Sequence, residues 1–532
     1  MPAYFFALTL ILGLLVPGLT RAQAPVPRWT MADLAMQQTG RSFPYPVATA
    51  VDEAGNVFTA GMFYDTASFG SHRLYSAGGN DFYVAKYVPA THTWAWAVRG
   101  GGRQSDHAYG LAVHNGCVYV TGYLQNNYLD DNGVTLDSTE PVSQPGAVNA
   151  EPSSDMFVAK YFDCGSRAIL GWCQVAGGAS MDYATSVTVS GRSVYISGTS
   201  GNTSSHAQGV VFGTTGPLPG LCPQLGTSPT LSQSLVLAKY TDHGFSASFN
   251  WSQVAGGKCG GVGRAVAAHG RCVYLVGDIT SSCNDSARVY LGGHGRVLGT
   301  AYQYGTSARL SQGWLLVKYL DLGDHAAYGW SQVAGGDEGG SANAVAVSGR
   351  SVYVSGTVYN DRSDSMHVCF GGSGSVAGTH PAPGLGRRVG IATVLAKYTD
   401  CGPTGAFGWL RTDGRSNFYE GSNLVANGPW VYLLARSFFN RTPTREGIRG
   451  GRAPGARRAT PGRPALRGTG RALRSWLLRR RSARYAAVGT HCRLPVLANA
   501  LPSPFGPTRL TPLRDGQYYP ACSIWSPDPA WV

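Results

Sequence analysis

The stretch Ala344-Val345-Ala346-Val347-Ser348-Gly349-Arg350-Ser351-Val352-Tyr353-Val354-Ser355 decides the fold. Its apolar residues do not return at helical spacing, and β-branched and aromatic side chains fill both halves. Ser348-Gly349-Arg350 interrupts the run where a tight turn needs glycine, so the segment reads as strand, turn, strand. Val394 to Tyr398 supplies a third short strand, and Trp330 to Ala334 a fourth that ends at Gly335-Gly336. Four strands without a helical stripe define the unit.

The unit repeats. Val84-Ala85-Lys86-Tyr87 returns as Val158-Ala159-Lys160-Tyr161, Leu237-Ala238-Lys239-Tyr240, Leu316-Val317-Lys318-Tyr319 and Leu395-Ala396-Lys397-Tyr398, with lysines 74, 79, 79 and 79 residues apart. Trp-x-Gln-Val-Ala-Gly-Gly begins at Trp172, Trp251 and Trp330, with degenerate copies at Trp96 and Trp409. Val-Tyr-x-x-Gly centres on Phe58, Tyr119, Tyr195, Tyr274, Tyr353 and Tyr432. A fixed period outranks local assignments, because a unit that cannot bury both faces alone must stack on its neighbours. The expectation is an all-β chain forming a β-propeller of about six four-stranded blades. Six inner hairpins and five third strands imply closure by strand exchange, with Trp29 to Gln38 completing the blade begun at residues 421–436. The third strand of that last blade is missing where the composition changes.

The run Ala67-Ser68-Phe69-Gly70, Leu74, Gly78-Gly79 and Asp81-Phe82-Tyr83-Val84-Ala85-Lys86-Tyr87 resembles the SBBP β-propeller repeat, as does Ala48 to Gly61 with Asp52 and Gly55-Asn56-Val57-Phe58. The resemblance spans about residues 29–436. It implies a propeller in a secreted protein of Bacteroidetes-like bacteria, and it implies no activity. Asp106 and Asp182 fit an acidic position before the inner strand, and Asp81 and Asp155 precede the lysine phrase. Later units lack both acids. Relatives often end in a surface-sorting domain, and none is recognisable here.

Charge divides the chain. The formal net charge is +14, yet residues 1–440 hold 26 basic and 26 acidic groups. Residues 441–532 carry 17 Arg, no Lys and 3 acids, with 12 of the 30 Pro and no repeat phrase. A nucleic-acid partner is therefore not expected of the repeats, which are neutral, and the tail's Arg without Lys is unlike phosphate binders, which mix the two. The Arg/Pro-rich tail, including Leu477-Leu478-Arg479-Arg480-Arg481, reads as disordered or as GC-rich DNA translated out of frame after Phe439. The domain expectation is 1–24 signal peptide, 25–440 repeat domain and 441–532 aberrant tail. Tyr4 to Leu19 is apolar and Ala22-Gln23-Ala24 is a small-x-small cleavage pattern, so export and a secreted or cell-surface location follow, with no membrane span after cleavage.

No catalytic, cofactor-binding or metal-ligating residue is assigned, and no cofactor is expected. GxSxG, HExxH and GxxxxGK[ST] are absent. Gly372-Ser373-Gly374 is a lone loop cluster. The lysines recur in every unit, which points to blade-to-blade contact, because a catalytic group is needed once. Asp130-Asp131-Asn132-Gly133 with Asp137 has the oxygen ligands of a calcium loop, but Asn-Gly at a hairpin position is the preferred reading. Eleven cysteines leave one unpaired. Cys164 and Cys173 flank one turn and could face each other, whereas Cys117 and Cys272 share a repeat position and read as small core residues.

Connections from second to third strands lengthen along the chain, as in Gly198 to Ser234 and Gly277 to Gln312, and all emerge on one face, where loops bind ligands. The expected function is an exported monomeric, non-catalytic binding or structural module for a polysaccharide or protein at the cell surface. An extracellular carbohydrate-active enzyme with a carboxylate pair on that face is the alternative.

Overall fold

The computed structural model describes residues 44–126, 133–136, 153–177, 181–202, 210–212, 232–256, 260–281, 289–291, 296–297, 311–335, 340–360, 369–370, 390–412, 419–428, 430–437 and 521–525. Every regular element among them is a strand. The strands form six antiparallel sheets in chain order, in each of which the principal strands make a meander. The first sheet comprises Tyr45–Val51, Val57–Phe69, His72–Val88 and Thr93–Gly101, and the second His107–His114, Cys117–Asn126, Ser153–Asp163 and Ala168–Gly177. The third holds Asp182–Ser190, Ser193–Asn202, Ser232–Asp242 and Ala247–Gly256. Gly261–His269, Cys272–Ser281, Ser311–Asp321 and Ala326–Gly335 make the fourth, and Gly340–Ser348, Ser351–Asn360, Gly390–Asp400 and Gly405–Thr412 the fifth. Tyr419–Asn427, Trp430–Ser437 and Ala521–Trp525 make the sixth.

The tight turns are as the sequence demands. Ser190 pairs with Ser193 around Gly191, and Ser348 with Ser351 around Gly349, with φ of 60° and 57° at the two glycines. Positive φ at the first central residue suits glycine and matches the twist of the flanking strands. The second sheet takes the other solution, Asn115-Gly116, with φ of 49° and 68°.

A second glycine role explains the end of the Val-Tyr-x-x-Gly phrase. In all six sheets the pairing of first and second strands shifts register by one residue, for example between Gly263 and Ala265 and between Ala342 and Ala344. A Cβ on Gly61, Gly122, Gly198, Gly277 or Gly356 would collide with the carbonyl oxygen of Tyr45, His107, Tyr183, Val262 or Ser341 across that bulge. A bulge bends its strand and sharpens the twist. The repeated glycine therefore shapes the hairpin of first and second strands.

The core lies between sheets. Phe58, Phe82, Val84 and Trp96 of the first sheet pack on Val118, Val120, Phe157 and Ala159 of the second, and Phe82 stacks on Phe157 at 4.8 Å. Equivalent layers join the second to the third, the third to the fourth, the fourth to the fifth and the fifth to the sixth. Middle sheets are thus buried on both faces. That is why Leu235-Val236-Leu237-Ala238, fully buried throughout, shows no alternation with polar residues.

The lengthened connections also serve the stack. A short strand from the second-to-third connection of one sheet adds to the fourth strand of the sheet before it. Thr135–Leu136 pairs with Gly100 and Gly101, Val211–Phe212 with Ala176 and Gly177, Val289–Leu291 with Ala255 and Gly256, and Cys369–Phe370 with Ala334 and Gly335. Phe212 then stacks at 4.8 Å on Phe249 of the third sheet, bridging the two. Each addition covers an edge that would otherwise template aggregation.

Three sequence expectations meet different fates here. Trp29 to Gln38 and residues 1–24 lie outside the described residues, as do Gly372-Ser373-Gly374 and Leu477 to Arg481. The sixth sheet does not lack a third strand: Ala521–Trp525, from the Arg/Pro-rich tail, pairs with Val431 to Ala435. The cysteine expectation for Cys164 and Cys173 is corrected, since both are free, Cys164 exposed and Cys173 packed against the core shared by the first two sheets. Cys117 and Cys272 are partly buried against core clusters, as their repeat position implied.

Candidate binding site at the insertion end

The sheets have two chemically distinct ends. At the end bearing the tight turns, one constellation recurs at four successive boundaries. Lys160 Nζ lies 2.7 Å from Asp242 of the next sheet, Trp172 Nε1 donates to the same carboxylate at 3.0 Å, and the Tyr119 hydroxyl donates at 2.7 Å. Asp242 also accepts from the Gly244 amide at 2.8 Å, and the Gly244 carbonyl accepts from Lys160 at 3.1 Å. Lys239, Trp251 and Tyr195 address Asp321 in the same way, and Lys318, Trp330 and Tyr274 address Asp400. At the first boundary Lys86 and Trp96 reach Asp163, with Phe58 in the tyrosine's place. Register shifts beside Lys86, Lys160, Lys239, Lys318 and Lys397 let a tryptophan pair with the lysine while its strand stays in the sheet.

These lysines are no nucleophiles. Each of the four is buried and held by a carboxylate of the next sheet, which commits it to the boundary. Burial raises the pKa of Asp242, Asp321 and Asp400, but the donated hydrogen bonds outweigh it and hold all three below the ordinary carboxylate value, Asp400 at about 2.

At the opposite end, where the long connections leave, the acids of the first units are fully buried. Asp81 accepts from the Ala77 amide at 2.9 Å and from Arg99 at 2.5 Å, and Asp106 accepts from the amides of Gly102 and Gln125 at 2.8 and 2.9 Å. Gly101 and Gly177 are closely approached by Asp81 and Asp155, so neither has room for a Cβ. That accounts for the first glycine closing the tryptophan phrase in the first two sheets. Asp278 accepts from Arg264, from Ser341 and from the Ala342 amide of the next sheet, all within 3.0 Å. Burial nonetheless raises Asp81 and Asp278 above the ordinary carboxylate value. Among the described residues no group of three His, Cys, Asp or Glu is placed to hold a metal ion. Asp130 to Asn132 and Asp137, on which the calcium-loop and hairpin-turn readings both fall, lie outside the described residues; Gly133 takes a φ of 62°, and Thr135–Leu136 pairs with Gly100 and Gly101 of the first sheet.

One cluster at this end does not recur. His107 pairs directly with Tyr123, their rings 4.7 Å apart, and Tyr109, the extra residue of the bulge, lies 5.9 Å from His107 and 5.7 Å from Tyr123. Tyr183 of the third sheet completes the group, 6.4 Å from Tyr109. All four are half-buried. At the three repeat positions where the second sheet has His107, Tyr109 and Tyr123, the fourth has Val262, Arg264 and Asp278, and the fifth has Ser341, Asn343 and Thr357. Burial lowers His107 to about 4, so its imidazole is uncharged at neutral pH, and burial raises the phenols of Tyr109 and Tyr123. The result is a neutral aromatic platform with polar edges, on the first and second strands of the second sheet and the first strand of the third, at the end from which the connections emerge.

Sequence reasoning named none of these four residues. The available signal was a concentration of rings: Tyr45, His107 and Tyr183 share one repeat position, and the second sheet alone adds Tyr109 and Tyr123. No family model matches the chain, and no curated protein matches it. The class that fold and site define is a stack of four-stranded antiparallel repeat sheets with a structural ion-pair end and a connection-bearing end.

Proposed function

We propose that the six sheets are the blades of a closed, exported β-propeller of SBBP type that acts as a monomeric, non-catalytic binding module for a cell-surface polysaccharide. The cluster of His107, Tyr109, Tyr123 and Tyr183 carries this reading. Aromatic faces with hydroxyl edges suit the mixed apolar and polar surface of a sugar ring, and they cost little side-chain entropy on binding. The enzyme alternative draws no support from Asp81, Asp106 and Asp278, which hold backbone amides and arginines.

Glycan-array binding by the full chain tests the proposal. Binding to at least one polysaccharide is expected, with a loss of tenfold or more in Tyr109→Ala and Tyr123→Ala variants that unfold at the wild-type denaturant midpoint. Undiminished binding by both variants, or turnover of a bound glycan, would overturn it.

A further inference from the structure

The turn-end constellation has a fifth copy that is incomplete. Lys397, Trp409 and Tyr353 of the fifth sheet occupy the repeat positions of Lys318, Trp330 and Tyr274, and they face the sixth sheet. Tyr353 packs with Leu424, Val431 and Leu433, with Trp409 beside it at 6.1 Å and Lys397 Nζ 5.9 Å from its ring. At the other four boundaries the lysine and tryptophan converge on an aspartate that closes the next sheet's third strand. Here no carboxylate meets Lys397 among the described residues, and the lysine is more exposed than its four counterparts. The strand in place, Ala521–Trp525, lacks the required residues. By register Ile524 stands where the other third strands have Lys, and two residues past Trp525, where they have Asp, the sequence has Pro527. Nor does the repeat spacing supply them: 79 residues past Lys397, Asp400 and Gly402 stand Trp476, Arg479 and Arg481.

Three donors pre-positioned by the repeat therefore form a carboxylate socket. We infer that Lys397, Trp409 and Tyr353 receive a β-strand ending in Asp-x-Gly, and that this strand is the third strand of the sixth repeat unit, encoded past residue 440 in another reading frame of the gene. The other four sockets set its chemistry. Its aspartate accepts from the lysine, the indole and the phenol, and its glycine two residues later closes the turn with its amide on the same carboxylate, as Gly165, Gly244, Gly323 and Gly402 do. Such a charge-assisted set is specific for an ionised carboxylate over its amide isostere.

The chain supplies its own probe, the peptide spanning residues 232–244, which ends in Asp242-His243-Gly244. Added to the full chain and followed by fluorescence anisotropy, it should bind at least tenfold more tightly than the same peptide carrying Asp242→Asn. The preference should vanish in Lys397→Met. Trp409→Phe keeps the packing ring and removes one donor, so it should reduce the preference without abolishing binding, and it serves if Lys397→Met does not fold. Equal binding of the two peptides, or a preference insensitive to both variants, overturns the socket. Translation of the other two frames past codon 440 should give a strand ending in Asp-x-Gly after a Lys-Tyr pair, and its absence from both overturns the assigned source.

Discussion

Lys239 and Asp321 lie on different sheets, 2.6 Å apart and nearly sealed from solvent, with Trp251 and Tyr195 donating to the same carboxylate. Removing one partner of such a pair leaves an uncompensated buried charge, at a cost of about 3–5 kcal/mol. Asp321→Ala should cost more than Lys239→Met, because it orphans the lysine, the indole, the phenol and the Gly323 amide together. Denaturant unfolding should show that order, with Lys239→Met/Asp321→Leu less destabilised than the sum of the single changes. Equal losses for the two single variants would remove the carboxylate from its place at the centre of the boundary.

The same geometry fixes a pH dependence. Asp242, Asp321 and Asp400 have folded pKa values below the ordinary carboxylate value, so their contribution is present above the unfolded carboxylate range and is lost as pH falls through the folded values, to about 2 for Asp400. His107 acts at higher pH. Its folded value of about 4 lies below the ordinary 6.5, so the unfolded chain takes up that proton first and stability declines as pH falls from 6.5 to 4. Asp81 and Asp278 oppose both trends, since their raised values favour the folded state as they become protonated. A His107→Phe variant should therefore lose less stability than wild type between pH 6.5 and 4 while retaining the steep acid loss below. An unchanged slope in the upper window would contradict the burial of His107.

Two glycines of one hairpin should fail for different reasons. Gly270 has a φ of 59° with open space around its Cβ position, whereas a Cβ at Gly277 would strike the Val262 carbonyl and Leu235. Gly270→Ala should cost about 1–2 kcal/mol through left-handed backbone strain, and Gly270→Asn less, because asparagine tolerates that region. Gly277→Ala should cost about 1–3 kcal/mol through overpacking, and asparagine there should be no better than alanine. Thermal unfolding of the four variants separates the causes. If asparagine rescues both positions equally, the steric account of the bulge fails.

What was legible in the sequence is what the repeat enforces. Six hairpins, the glycine turns, the third and fourth strands and the structural lysines all follow from a phrase that every boundary needs. The partner of those lysines was less visible, because Asp163, Asp242, Asp321 and Asp400 sit past the phrase and join the preceding sheet, a contact across 77 residues for Lys86 and 82 for Lys160. The aromatic cluster was illegible for the opposite reason. His107, Tyr109, Tyr123 and Tyr183 come from three strands in two sheets, and only the bulge and the pairing of His107 with Tyr123 bring them together. Ala521–Trp525 could not be foreseen, since no local signal ties it to a strand beyond a long Arg/Pro-rich segment.

Cysteine reactivity tests the placement of the sheets without a ligand. Cys164 and Cys401 are exposed in the Asp-x-Gly turns, whereas Cys117 and Cys173 pack against inter-sheet cores, where burial raises both thiols, Cys173 to about 12. Only the thiolate attacks a disulfide or alkylating reagent. Brief iodoacetamide treatment of the native chain at pH 8, followed by peptide mass mapping, should therefore label Cys164 and Cys401 at least tenfold faster than Cys173 and Cys117. The four should converge in denaturant, where burial is lost and each thiol returns to its ordinary range. Cys164 and Cys173 recovered as a disulfide from the native protein would contradict the register that pairs Ala159 with Cys173 and places Cys164 beyond the end of that pairing at Asp163 and Ala168. Rapid native labelling of Cys173 would instead mean that the boundary between the first two sheets opens far more readily than its buried ion pair and stacked rings allow.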